Sequence, residues 1–222
     1  MTSAVDICNL ALGHLGDVAN VSSISPPDGS AQAAHCARFY PIARDTLLEQ
    51  HPWNFAMRRS ALATVSGTIP EWDYVYAAPA DLLTVVAVQG DDNEDDYSTR
   101  YAPTDAIITT PMIAAGQYVP RRYTIELDAN GSRVIRTDQK SAQMRYVAKV
   151  TDTTKFSPTF IMALSWHLAG MLAGPIIKGD QGAAEAKRCA QMMAFYLSEA
   201  RRSDSIQSNT KPEHIVTWMA NR

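Results

Sequence analysis

Hydrophobic spacing divides the chain into helical ends and a strand-like middle. Residues 3–16 place Ala4, Ile7, Cys8, Ala11, Leu12 and Leu15 three and four apart, one face of a helix, with Ser3 as N-cap and Gly16 as stop. Val18 to Gly29, interrupted by Ser22, Ser23, Ser25, Pro26 and Pro27, is a loop. A second helix starts near Ser30 on the stripe Ala33, Cys36, Ala37, Tyr40, Leu47 and Leu48, with Arg38, Arg44, Asp45 and Glu49 mostly off it; His51-Pro52 ends it. Pro41 lies inside this pattern. Because proline lacks an N–H and disfavours helical geometry at the residue before it, the sequence predicts a kink there or two shorter helices.

From Trp53 to Val150 the period changes to two. Tyr74 and Tyr76, then Thr84 to Val88, read as strands separated by an Ala78-Pro79-Ala80-Asp81 turn. Tyr123, Ile125 and Leu127 alternate with polar neighbours, Asp128-Ala129-Asn130-Gly131 turns, and Arg133 to Thr137 returns. Met144, Tyr146, Ala148 and Val150 alternate in their turn, so the stretch reads as an antiparallel meander with one dry face. Helix resumes at Ser157-Pro158, a cap followed by proline at the first helical position, and runs apolar on most sides toward Lys178. Asp180 is the expected cap of a last helix, whose stripe is Cys189, Met192, Met193, Tyr196 and Ala200. After Ser203 the pattern gives way to a polar tail ending in Ile215, Val216, Trp218 and Met219. The organisation expected is α+β. Residues 1–52 and 157–203 form a helical bundle, 53–156 an inserted antiparallel β module, and 204–222 an extended C-terminal arm.

Composition narrows the function classes. The chain has 222 residues, 46% of them hydrophobic and 19% charged, the balance of a globular protein. A net charge of −3 provides no basic footprint for gripping nucleic acid. The longest apolar stretch, 160–177, is interrupted by His167, Gly170, Gly174 and Pro175, so a buried helix is expected and no membrane association. The N-terminus lacks a signal-peptide pattern. Three scattered cysteines, Cys8, Cys36 and Cys189, argue against a disulfide framework and for folding in a reducing cytoplasm.

Motifs that carry chemistry are sparse. Asp91, Asn93 and Asp95 imitate the start of a calcium loop, but Asp96 stands where glycine is needed and Ala102 where glutamate is needed. The cluster Asp91, Asp92, Glu94, Asp95 and Asp96 is then a solvated acidic loop. No cysteine or histidine pair has zinc spacing, so no metal and no cofactor is expected. Ser165-Trp166-His167 occupies consecutive helical positions, which point in different directions and do not converge as a catalytic set. Phosphate-binding glycine loops are missing. No catalytic residue is assigned. Trp53, Phe55, Trp72, Tyr74 and Tyr76 are expected to pack in a core or an interface, since no basic residues interleave with the last three as a base-stacking platform requires.

Three ordered blocks resemble the tail tubular protein A family of podovirus head-to-tail adaptors. They are Ile7-Cys8-Asn9-Leu10-Ala11-Leu12-Gly13-His14-Leu15-Gly16; then Cys36, Tyr40, Ala43-Arg44-Asp45, Leu47-Leu48 and Trp53-Asn54-Phe55-Ala56; then Trp72-x-Tyr74-x-Tyr76-Ala77-x-Pro79-x-Asp81-Leu82. The likeness covers residues 4–85 well and the last third loosely. It implies a structural virion protein, not an enzyme, that forms a homo-oligomeric ring of about twelve copies between the portal protein and the tail tube or nozzle protein. Double-stranded DNA would pass transiently and non-specifically through its lumen during ejection. At −3 per chain such a ring carries about −36, a sign that repels DNA rather than retaining it. The acidic cluster is the expected lumen or rim band, and Ile215, Val216, Trp218 and Met219 the expected portal-docking arm. Assembly would take place in the bacterial host cytoplasm. Rival expectations are another neck or tail-completion protein, a virion-associated cell-wall- or carbohydrate-degrading enzyme, and a monomeric ligand-binding module.

Overall fold

A computed structural model describes residues 2–18, 20–66, 70–90 and 122–207. They form an α+β protein of four helices and two small antiparallel sheets. The chain divides into two compact units. One is Met1–Met57 with Val147–Ser208; the described part of the other lies within Arg58–Tyr146.

The first unit is helical. α1 (Ala4–His14) is opened by a reciprocal cap in which Ser3 Oγ accepts from the Asp6 N–H at 3.1 Å and Asp6 Oδ2 accepts from the Ser3 N–H at 2.8 Å. Those bonds hold the Asp6 carboxyl below its ordinary range. The loop that follows is tied back by Asn9, whose side chain donates to Val21 O at 2.9 Å and accepts from Val21 N at 2.8 Å. At its far end Asp28 gathers the backbone and hydroxyl donors of Ser22 and Ser30, which keeps its carboxyl strongly acidic. α2 spans Ala31–Glu49 without a break, so of the kink or two shorter helices expected at Pro41 the division into two does not occur. Pro41 and its neighbour Ile42 are exposed, and Ala37, whose carbonyl loses its helical donor to the proline, is half-buried.

α3 (Pro158–Ile177) is the centre of this unit, with α1, α2 and α4 (Gly179–Ile206) packed on it. Its all-round apolarity follows from that position. Among the described residues it is the one helix long and apolar enough to span a bilayer, and half of that stretch is buried within the protein. Ser157 Oγ caps it by accepting from Phe160 N at 3.3 Å, with Pro158 in the first turn. The turn into α4 is a single residue, Lys178, in the left-handed region at φ +60°, so Lys178 and not Asp180 occupies the cap position. Asp180 instead lies in the first turn of α4, near the positive end of the helix dipole. A corner this tight brings the helices close. A Cβ added to Gly182 would stand 3.0 Å from the Ala173 carbonyl oxygen.

The second unit carries the sheets except for Met57, Val147 and Ala148 at the strand ends, which fall within the first. β1 (Met57–Ala61), β6 (Gln143–Ala148) and β3 (Leu82–Gln89) form one, in that order; β2 (Tyr74–Ala77), β5 (Arg133–Thr137) and β4 (Tyr123–Leu127) form the other. β1 was not expected from the pattern. The β4–β5 hairpin turns where expected, at Asp128–Gly131, with Asp128 Oδ1 accepting from Asn130 N and Ser132 N at 2.8 Å and Gly131 at φ +76°. The expected continuous meander is corrected: β6 leaves β5 and becomes the central strand of the other sheet. A central strand is paired along both edges, and the end of β6 is covered on both faces as well: Tyr146, Val147 and Ala148 are consecutive and all buried, which a half-wet alternation did not anticipate.

Candidate functional site

The end of α1 holds a cluster of polar and aromatic side chains. His14 stacks on Trp166 of α3 with ring centroids 3.7 Å apart and planes 5° from parallel. Arg188 of α4 lies over the same indole, 5.2 Å from its centroid, donates to His14 O at 2.9 Å, and is paired with Glu185 one turn earlier. Burial, and then the charge of Arg188, hold the His14 imidazole below its ordinary pKa. Beside it is an open cleft of about 620 Å³, lined by His14, Gly16, Ile177, Gln181, Glu185 and Arg188 among others.

His14 Nε2 is 3.0 Å from Ser165 Oγ, a spacing that a nucleophile and its base would share. The direction of the bond differs from that chemistry. Met162 O also lies 2.9 Å from Ser165 Oγ as an acceptor for its one proton, and with that bond made the hydroxyl accepts from an N–H at His14 Nε2. The residue is also fully buried. The pair therefore pins α1 to α3. In the sequence Ser165, Trp166 and His167 read only as neighbours of one another, and the joint of Ser165 with His14, 151 residues away, leaves no local signal.

A second joint fixes the far end of α4. Asp204, expected in the tail, is helical and only 7% exposed. Its carboxylate accepts from the Asn54 N–H at 3.1 and 3.2 Å and lies 3.3 Å from His51 Nε2; its carbonyl accepts from Asn54 Nδ2 at 2.7 Å. Burial lowers the His51 pKa and the Asp204 charge partly opposes that effect. Arg44, expected off the apolar stripe, is 6% exposed, paired with Asp45 at 2.7 Å, while Lys149 reaches the same Asp45 at 2.8 Å. The Ala43-Arg44-Asp45 block is thus the site of a shared ion-pair network.

The five singled-out aromatics fall into two groups. Trp53 and Phe55 belong to the helical unit and not to the β module that sequence analysis gave them. Trp53 is fully buried, donates from Nε1 to Leu47 O at 2.9 Å, and with Phe55, Phe156 and Phe160 builds an aromatic cluster at centroid separations of 5.0 to 5.9 Å. Trp72, Tyr74 and Tyr76 lie in the sheet unit. Tyr76 is fully buried, and its hydroxyl donates to Gln139 O at 2.8 Å and accepts from Ala142 N at 3.3 Å. Trp72 carries the Arg122 guanidinium 4.8 Å above its ring, a basic partner that lies too far along the chain for local sequence to reveal. Asp91, Asp92, Glu94, Asp95 and Asp96, and Ile215, Val216, Trp218 and Met219, lie outside the described residues.

One surface with features of an interaction site is the outer face of α4. This helix packs chiefly against α3 and leaves Phe195 57% and Ile206 78% exposed. Phe195 is ringed at helical spacing by Gln191, Met192, Ser198, Glu199 and Arg202, of which Arg202 and Glu199 pair at 2.7 Å. An exposed aromatic with a polar rim is the usual composition of a protein-binding patch. Among the described residues no group of three or more His, Cys, Asp or Glu side chains is placed to hold a metal ion. No protein-family model and no curated protein matches the chain.

Proposed function

We propose that the protein is a structural head-to-tail adaptor of a tailed bacteriophage. In this reading about a dozen copies form a ring between the portal protein and the tail tube or nozzle protein, leaving a lumen for DNA exit. The observation that carries the reading is the outer face of α4: a 28-residue helix backed by α3, with Phe195 exposed along it and charged residues around it. A rigid helical hairpin with one unburied aromatic suits a head-to-tail contact between neighbouring copies, in which Phe195 enters the next subunit. The three sequence blocks add to this. Two of them supply the α1 joint and the aromatic cluster that hold the hairpin in place.

Native mass spectrometry of the chain mixed with the portal ring of the same phage tests the proposal. A stoichiometric complex of many copies per portal is expected, and Phe195→Asp should remove it while leaving the circular dichroism spectrum unchanged. A folded chain that ignores a well-formed portal would overturn it.

A further inference from the structure

The edge strand β4 is the second surface with an unmet demand. In the sheet β2-β5-β4, β2 is backed by residues 63–65, through Val65 N to Val75 O and Ala77 N to Ala63 O at 2.9 Å. On the outer side of β4 no described strand pairs. Tyr123, Ile125 and Leu127 are 38%, 40% and 67% exposed, although they share a face with Ile135 and Tyr76, which are fully buried. The apolar face is thus covered over β2 and β5 and bare at its rim.

The phase of the ladder shows which backbone groups face outward. Asp128 N donates to Ser132 O at 2.9 Å, so 128 and 132 are a hydrogen-bonded pair, and with the register Leu127↔Arg133 the next such pairs are Glu126↔Val134 and Thr124↔Arg136. The bond from Ala78 N to Arg133 O at 3.1 Å shows independently that Arg133, and by alternation Ile135 and Thr137, turn toward β2. The N–H and C=O groups of Tyr123, Ile125 and Leu127 therefore point away from the sheet.

We infer that β4 pairs with β4 of a second copy of this chain, antiparallel and centred on Ile125. That register sets Ile125 against Ile125, Tyr123 against Leu127 and Arg122 against Asp128. All the residues whose backbone faces outward then meet as hydrogen-bonded pairs, and their apolar side chains form one continuous row across both sheets. The charges agree. Arg122, whose side chain is 66% exposed and 3.9 Å from Asp138 of its own chain, meets the acidic end of the partner strand, and no like charges face each other directly. A register displaced by a residue would place outward-facing backbone against residues already bonded to β5. This contact is two-fold and closes on itself, so it is separate from the α4 face and independent of the adaptor reading.

The test uses the full chain. Sedimentation should show a dimer, and Ile125→Cys should form a disulfide-linked dimer under mild oxidation. Tyr123→Cys should crosslink to Leu127→Cys when the two are mixed but not to itself, because its symmetry mate is about 14 Å away. Ile125→Pro removes an outward N–H and leaves the β5 ladder intact, so it should yield a folded monomer. A monomeric chain without the Ile125→Cys crosslink would overturn the inference, as would a dimer that survives Ile125→Pro, since the partner would then sit elsewhere.

Discussion

Replacing Asp204 by alanine tests whether the end of α4 is pinned to the segment after α2. The substitution removes the acceptor for the Asn54 N–H at 3.1 Å and for His51 at 3.3 Å, in a side chain only 8% exposed. Bonds to a charged group contribute roughly 1.5–3 kcal/mol each, and a buried amide left without a partner costs about 1–3 kcal/mol. These effects overlap, because the Asn54 amide regains some water when the carboxylate leaves. A net loss of about 2–4 kcal/mol is the expected result. At roughly 2–4 °C per kcal/mol for a chain of this length, the melting temperature should fall by about 4–16 °C. Asp204→Asn keeps one carbonyl oxygen for the Asn54 N–H and should lose about half as much. Ser205→Ala, one residue further and exposed, should change stability by no more than about 0.5 kcal/mol. Thermal denaturation followed by circular dichroism reads all three. An Asp204→Ala melt indistinguishable from that of Ser205→Ala would refute the reasoning and return residue 204 to the tail.

Other expectations follow from the same geometry. His14, His51 and His167 all have pKa values lowered first by burial, so the unfolded chain takes up protons more readily. Their contribution is complete above about pH 6.5 and is lost as pH falls through the lowered folded values, which urea midpoints measured between about pH 7.5 and pH 5 should show as a decline. Arg188→Met removes the second cause acting on His14, so the His14 titration followed by NMR should move upward; an unchanged titration would mean that burial alone sets it. Pro41→Ala restores a helical N–H on an exposed turn and should stabilise the protein by about 1–3 kcal/mol in denaturant unfolding. Gly182→Leu should destabilise by at least about 2 kcal/mol, because its side chain meets the Ala173 carbonyl, whereas Gly13→Ala, with open space around it, should stabilise by about 0.5–1 kcal/mol.

Local chemistry made much of the fold legible. The Ser3 and Ser157 caps, the Asp128–Gly131 turn, the apolar stripe of α1 and the apolarity of α3 on most sides each depend on residues within a few positions of one another, and the structure has them where expected. Arg44 shows where that logic ends. It lies on the buried side of α2 because Asp45 and Lys149 complete an ion-pair network there, and hydrophobic spacing holds no record of a partner more than a hundred residues away.

What the sequence determined by itself was the α+β class, the positions of most elements and the buried identity of α3, since period and capping act over one or two helical turns. The tertiary structure alone decided the partners: β6 between β1 and β3, His14 against Ser165 and Trp166, Asp204 under Asn54, and the bare sides of α4 and β4. Those depend on which faces meet after the chain closes loops of many tens of residues. Several closures satisfy the same hydrophobic pattern, and only packing and hydrogen-bond completion choose among them.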